Sequence, residues 1–310
     1  MGSRAEPITR LTGDFPMDRR SFLKAAAAAS LLGPSLAGEA LAAREQPLVA
    51  MAEGKDNAAV TRKAVNAVGG MKRFVKAGDV VVVKPNIGWD RSTEFAANTH
   101  PQVVRALVEE CLAAGAKKVK VFDNTCNDSR RCYVNSGIEG ALKGIRNVEC
   151  KHIEPERFRK VALNGHFLKE WELYDEALSA DVFINVPIAK HHGLTKLSLG
   201  LKNVMGIMGG NRGYIHRSID VALADVNAHM KSHLTVIDAT RILTAHGPQG
   251  GSMADVKVLN KVIASADIVA ADAFATTLFG LKPADIPIIV AAHQRGLGEM
   301  NLARIKIVRV

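Results

Sequence analysis

The sequence predicts an α/β fold, a single domain with a mostly parallel sheet flanked by helices. Three observations predict it. Val80-Val81-Val82-Val83 is a continuous apolar run between Gly78-Asp79 and Pro85-Asn86, the pattern of a strand covered on both faces. Val103, Val104, Leu107, Val108, Cys111 and Leu112 then form a helical stripe that can bury one face, and Val119-Lys120-Val121-Phe122-Asp123 returns as a second strand. Strand–helix alternation recurs to the end of the chain. With 310 residues, 47% of them hydrophobic and 23% charged, the chain sustains a substantial core. A disordered, collagenous or coiled-coil chain is excluded.

The elements follow in order. Thr99-His100-Pro101 opens the first helix and Gly115 closes it, completing a right-handed βαβ unit. Ile138 to Leu142 reads as a short helix, Val148 to His152 as a short strand, and residues 153–172 as an irregular excursion. Asp181-Val182-Phe183-Ile184-Asn185-Val186-Pro187 restores the buried-strand signal. A helix through Ile219, Leu223, Val226 and Met230 leads to a strand at Leu234-Thr235-Val236-Ile237-Asp238. Val256 to Ile263 is a strand, Ile268 to Phe279 a helix capped by Asp267, and Ile305 to Val310 a last strand.

Residues 1–42 have the character of a targeting segment. Arg19-Arg20-Ser21-Phe22-Leu23-Lys24 precedes a moderately apolar, Ala-rich run to Ala37, and Ala40-Leu41-Ala42 offers a small-residue cleavage pattern. This resembles a twin-arginine export signal. It implies passage through the Tat export machinery in the folded state to the periplasm or another exported location, with the mature domain spanning residues 43–310. Met17 offers an alternative start that would make residues 1–16 an upstream extension. The mature chain holds no run of roughly 20 apolar residues, so no mature transmembrane segment is expected.

Lys and Arg number 41 against 31 Asp and Glu, a formal charge of +10. Nearly all of it lies beyond residue 42. Such a balance favours an acidic partner. The basic residues are scattered and only three Tyr and two Trp are present for base stacking, so nucleic acid is set aside in favour of a small anionic ligand.

Polar residues gather just after the strands, where open parallel sheets place their ligands. Lys84 and Asn86 follow the valine run, and Asp123-Asn124-Thr125 the next strand. The densest cluster runs from Pro187 to Gly213 and holds Lys190, His191, His192, Lys202, Asn203, Gly209, Gly210 and Arg212. Its cations can attract phosphate or carboxylate, and its glycines let backbone amides approach an oxyanion. Its spacing matches neither a Walker loop nor a dinucleotide fingerprint.

His191 and His192 are adjacent, so on a strand only one can enter a given pocket. Three readings stand for that residue: a proton-transfer group paired with Asp238, a metal ligand with His191 or His216 taking part, or a loop hydrogen-bonding residue. No compact metal motif is present. Asp272, inside an apolar helix, calls for a partner, for which Lys84, Lys190 and Lys202 are candidates. Cys126 and Cys132 flank a polar loop, where an exported location permits a disulfide; unpaired thiols are the alternative. The cysteine spacing supplies no self-contained ferredoxin-type iron–sulfur motif, and the cofactor is left open.

Over residues 48–310 the chain resembles the DUF362 family. The resemblance is carried by Val81-Val82-Val83-Lys84-Pro85-Asn86, Thr99-His100-Pro101, Ala114-Gly115-Ala116, the stretch from Asp181 to His191, Leu201-Lys202-Asn203-Val204-Met205-Gly206, the turn Gly247-Pro248-Gln249-Gly250, and Ala264 to Ala273. It implies a common site around Lys84, Asn86, Lys190, His191, Lys202 and Asn203, supported by Asp272. Family members that look fused to ferredoxin-type modules also suggest a redox partner, although this chain lacks such a module. Together these features lead to an exported enzyme acting on a small carboxylate- or phosphate-bearing substrate, with His191, Lys190 and Asp238 in catalysis. The alternatives are a noncatalytic anion- or metal-binding protein and a redox accessory protein.

Overall fold

The computed structural model describes residues 46–310, which form one compact unit. The twin-arginine motif, the cleavage pattern and the signal segment of residues 1–42 lie outside the described residues. Along the chain run β1 (Leu48–Glu53), α1 (Asn57–Ala67), β2 (Val80–Pro85), α2 (Pro101–Ala113), β3 (Lys118–Val121), α3 (Ser129–Asn135), α4 (Ile138–Leu142) and β4 (Val148–Cys150). Next come β5 (Phe158–Ala162), β6 (Glu170–Tyr174), α5 (Asp175–Leu178), β7 (Val182–Val186), β8 (Ile188–His192), β9 (Lys196–Ser198) and α6 (Gly200–Asn203). The last elements are α7 (Ile219–His229), β10 (Leu234–Leu243), β11 (Val256–Ser265), α8 (Ile268–Thr276), α9 (Pro287–Gln294) and β12 (Lys306–Arg309).

The central sheet has the order β12-β1-β11-β10-β7-β2-β3-β4, with β8 pairing beside β10 and β9 closing a hairpin on β8. Parallel pairing holds β2 to β3 and β7, β3 to β4, β10 to β7 and β8, and β1 to β12. β11 runs against both β1 and β10, and β9 against β8. The fold is thus the expected α/β domain with a largely parallel sheet. The excursion at 153–172 contains a separate two-stranded sheet, β5–β6.

Both sheet faces are covered, which is why β2 and β7 are apolar without alternation. One apolar cluster packs α1 and α2 through Val60, Val65, Val104, Leu107 and Cys111 against Val81, Val83 and Ile184. Another packs α7, α8 and α9 through Leu223, Val226, Val269 and Ile289 against Ile237 and Ile263. α2 starts as its sequence implies: Pro101 takes the first helical position, and the His100 ring accepts the Gln102 amide hydrogen bond. Asp267 likewise caps α8 by accepting from Ala270 N. Among the described residues no helix is long and apolar enough to cross a membrane.

One topological feature places the site. β2 leads through α2 to β3 on one side, and the chain later returns as β7 on the other side of β2. The sheet order therefore reverses between β7 and β2. At such a point the connections diverge and leave a crevice beyond the carboxyl ends of the strands.

Candidate functional site

Lys84 is the last side chain but one of β2, in register with Asn185 on β7. It is 1% exposed, and its Nζ lies 2.8 Å from Asp123 Oδ1 just beyond β3. The same ammonium donates to Asn203 Oδ1 at 3.0 Å. Asn203 Nδ2 donates to the Lys84 carbonyl and to Asn185 Oδ1, and Asn86 Nδ2 donates to Asn203 Oδ1. Lys190 on β8 donates to Asn86 Oδ1 at 3.1 Å and to the Ala97 carbonyl at 2.5 Å. Asp123, Lys84, Asn203, Asn86 and Lys190 thus form one continuous buried polar chain. Satisfied networks of this kind hold their members in a single arrangement.

The chain lines a cavity of about 350 Å³, which Lys202, Arg212, His192, His216, Trp89 and Cys126 also border. Gly206 lines it too, and its backbone approaches the ion pair so closely that a Cβ there would collide with Asp123 Oδ1 and Lys84 Nζ. Glycine is required at this position for space.

The charges do not balance. Among the described residues Lys84, Lys190, Lys202 and Arg212 face the single carboxylate of Asp123, which Lys84 already holds. Burial lowers the Lys84 ammonium from its ordinary value, against the opposing pull of Asp123. Lys190 is lowered to about 7, first by burial, and the neighbouring Lys202 charge adds to the shift. Lys202 falls to about 8, again mainly through burial, with Arg212 and Lys84 contributing. Among the described residues its ammonium meets only the Met205 sulfur, at 3.3 Å, a weak acceptor.

The two adjacent histidines divide as strand alternation requires, with Lys190 and His192 on one face of β8. His192 lines the cavity, so the sequence expectation of His191 as the pocket histidine is corrected. His191 faces away from that cavity, and its Nδ1 accepts from Gly247 N at 3.1 Å, fastening the 247–250 turn. His192 Nδ1 accepts from Leu194 N and Thr195 N, which places the proton of the neutral ring on Nε2. Burial and the Lys202 and Lys190 charges push its pKa down to about 3. At neutral pH His192 is an uncharged hydrogen-bond donor, unsuited to carry a proton back and forth.

Other expected site residues serve the frame. Asp238 is fully buried and accepts from His100 N, Thr240 N and Thr240 Oγ1, so it anchors the start of α2 and does not border the cavity. Asp272 accepts from Gly200 N and Leu201 N at 2.8 Å each. Its partners are therefore amides at the start of α6, rather than the three lysines, and burial raises its pKa to about 7. It supports the site by fixing the helix that carries Lys202 and Asn203.

Gly209 and Gly210 lie outside the cationic cavity, against the β5–β6 excursion, where Gly209 N donates to Glu172 O and its carbonyl accepts from Trp171 Nε1. Arg212 does border the cavity, but its guanidinium is committed to the carbonyls of Asn124 and Thr125 at 2.9 Å each. It acts there as a clip and a source of field. Cys126 and Cys132 are both free thiols, so of the two readings the unpaired one holds and the disulfide does not. Cys132 lies in the core on α3, whereas Cys126 is exposed on the cavity rim. His216 borders the cavity and His191 does not. Among the described residues no group of three or more His, Cys, Asp or Glu is placed to hold a metal ion.

Among the cavity groups, sequence reasoning placed Asp123 and His192 in its polar clusters without giving them the site roles they hold, and it left Trp89 out. Asp123 had a signal in its position one step past a strand end, and His192 in its two-residue spacing from Lys190. Trp89 had none, since the loop that carries it is irregular.

Comparison with known proteins follows from this architecture. The chain is 28% identical over 246 residues to the thylakoid-associated protein sll1697 of Synechocystis sp. (strain ATCC 27184 / PCC 6803 / Kazusa), covering 76% of this chain and 74% of that protein. Among solved structures it is similar to the lactate racemase apoprotein from Thermoanaerobacterium thermosaccharolyticum, at 10% identity and a TM-score of 0.46. That match covers 76% of this chain and 57% of the racemase chain. The model of the family described as domain of unknown function (DUF362) matches residues 81–277, a span that holds β2 to α8 and every group of the polar chain, and the protein belongs to that family.

Proposed function

We propose that the crevice binds a small carboxylate- or phosphate-bearing molecule and that the protein is an enzyme acting on it. The observation that carries this reading is the Lys202 ammonium, half-buried beside a cavity in which the one carboxylate among the described residues is already paired. A partly buried charge without a counter-ion is unfavourable, and an anion entering the cavity relieves it. Lys202 supplies the charge. His192 Nε2–H and the Asn86 amide supply neutral donors for the oxygens, and Asp123, Asn203 and Asp272 keep those groups in place. Preorganised donors of this kind also stabilise negative charge that develops during a reaction.

Calorimetric titration with phosphate and with propionate tests the binding. Saturable binding of either anion supports the reading, and heats no larger than dilution for both would overturn it. Turnover separates an enzyme from a noncatalytic anion binder.

Affinity should depend on pH with a definite sign. An anion prefers the charged ammonium, and Lys202 loses its proton near 8. Binding should therefore be tightest below that pH and weaken by roughly tenfold per pH unit above it. Constant affinity from pH 7 to 10 would contradict the role of Lys202.

The histidines should separate cleanly. His191→Ala is expected to leave anion affinity intact while costing on the order of 1 kcal/mol of stability through the lost Gly247 contact. His192→Ala should weaken binding by about tenfold, as for the loss of one good hydrogen bond. Titrations and urea melts of both variants read these outcomes.

We further propose export through the twin-arginine route, supported by Arg19-Arg20 and the apolar run that follows. Changing both arginines to lysine should hold the protein inside the cell, which fractionation would show.

A further inference from the structure

Lys190 differs from the other cavity lysines. Like Lys84 it lines the cavity while 1% exposed. Among the described residues no carboxylate contacts it, whereas Asp123 holds Lys84. Its Nζ donates to two neutral oxygens, Asn86 Oδ1 and Ala97 O, and the Trp89 ring lies 5.8 Å away. A neutral amine has two N–H bonds and one lone pair. Those two acceptors take both N–H bonds and leave the lone pair over. His192, two residues on and on the same face of β8, offers an N–H that finds no protein acceptor among the described residues.

We infer that the Lys190 amine is a nucleophile toward the carbonyl carbon of a small oxo acid whose carboxylate is held by Lys202. The inference rests on the anion-binding reading and narrows it to a ligand bearing both a carboxylate and an aldehyde or ketone. The Lys190 lone pair forms the N–C bond as the carbonyl π pair moves to oxygen, and one of the two nitrogen hydrogens passes as a proton to that oxygen to give a carbinolamine. A second proton on the oxygen, taken from solvent, lets the C–O bond break, water leaves, and the nitrogen keeps its one remaining hydrogen in a protonated imine. No oxidant or reductant is consumed. His192 Nε2–H donates to the oxygen as it gains charge. Burial and nearby Lys202 and Lys84 bring Lys190 close to neutrality at physiological pH, a condition that lysine nucleophiles require.

The test is reductive trapping on the full chain. The protein is incubated near pH 7.5 with pyruvate or with glyoxylate and sodium cyanoborohydride, then digested and mapped by mass spectrometry. The expected result is a single adduct on Lys190, with the mass of the oxo acid less one oxygen atom. Lys190→Arg should lose the adduct, and propionate, which carries the same carboxylate without a carbonyl, should compete with adduct formation on the wild-type protein. No adduct from either oxo acid, or an adduct of equal yield on Lys202 or on surface lysines, would overturn the inference. Propionate binding without an adduct would leave the anion site standing and reject the nucleophile alone. An adduct on Lys190 in a protein that binds no propionate would support the nucleophile and reject the anion site.

Discussion

Asp123→Asn is expected to destabilise the protein by about 3–5 kcal/mol, the range for removing one partner of a buried ion pair. Lys84 and Asp123 are 1% and 3% exposed, so water cannot replace the lost charge. The amide keeps the shape and can still accept from Ile87 N, as Asp123 Oδ2 does at 2.6 Å, so the effect isolates the charge. It also leaves a fourth cation in the cavity without a counter-ion. The melting temperature should fall on the order of 10 °C. Lys84→Met combined with Asp123→Asn should recover much of the loss, because the uncompensated ammonium goes with it. A loss below about 1 kcal/mol in the single variant would mean that the pair is solvated.

Lys202→Met should move stability and binding in opposite directions. Removing a half-buried cation that has no counter-ion among the described residues favours the folded state, while loss of that charge should weaken anion affinity by about thirtyfold or more. The stability gain has a pH dependence. The folded-state value of about 8 lies below the ordinary 10.5, so between these pH values the unfolded chain binds more protons and the wild type grows more stable as pH rises. The advantage of the methionine variant should therefore be greatest below pH 8 and shrink toward pH 10. Thermal melts and titrations at pH 7 and pH 10 check both parts. A less stable variant that binds anions normally would remove Lys202 from the site.

Much of this arrangement was legible in the sequence because buried parallel strands are continuous apolar runs and the polar residue after each marks a carboxyl end. Lys84 and Asn86 were found in this way, Lys190, Lys202 and Asn203 by the density of cations and glycines from Pro187 to Gly213, and the topology brings them together. Direction was not legible. The run from Val256 has the same composition in either orientation, and only tertiary pairing turns β11 antiparallel to β10. β1 and α1 carried no flanking signal as strong as that of β2. α3 was hidden in a polar loop, although Asp128 caps it by accepting from Arg131 N.

The histidine was decided by phase. Once Lys190 faces inward, alternation selects His192, yet the resemblance pointed to the neighbouring residue. Gly209 and Gly210 misled for a different reason. Glycine density signals close backbone approach, and here the approaching groups belong to β5 and β6 instead of a ligand.

Calorimetric titration with propionate at pH 8, in two buffers of different ionisation enthalpy, measures how many protons accompany binding. An anion seated on Lys202 raises its pKa, so the complex should take up a fraction of a proton, and Lys202→Met should abolish both the uptake and most of the affinity. Binding without proton uptake, and equally tight in the variant, would show that the crevice does not work through its unbalanced charge.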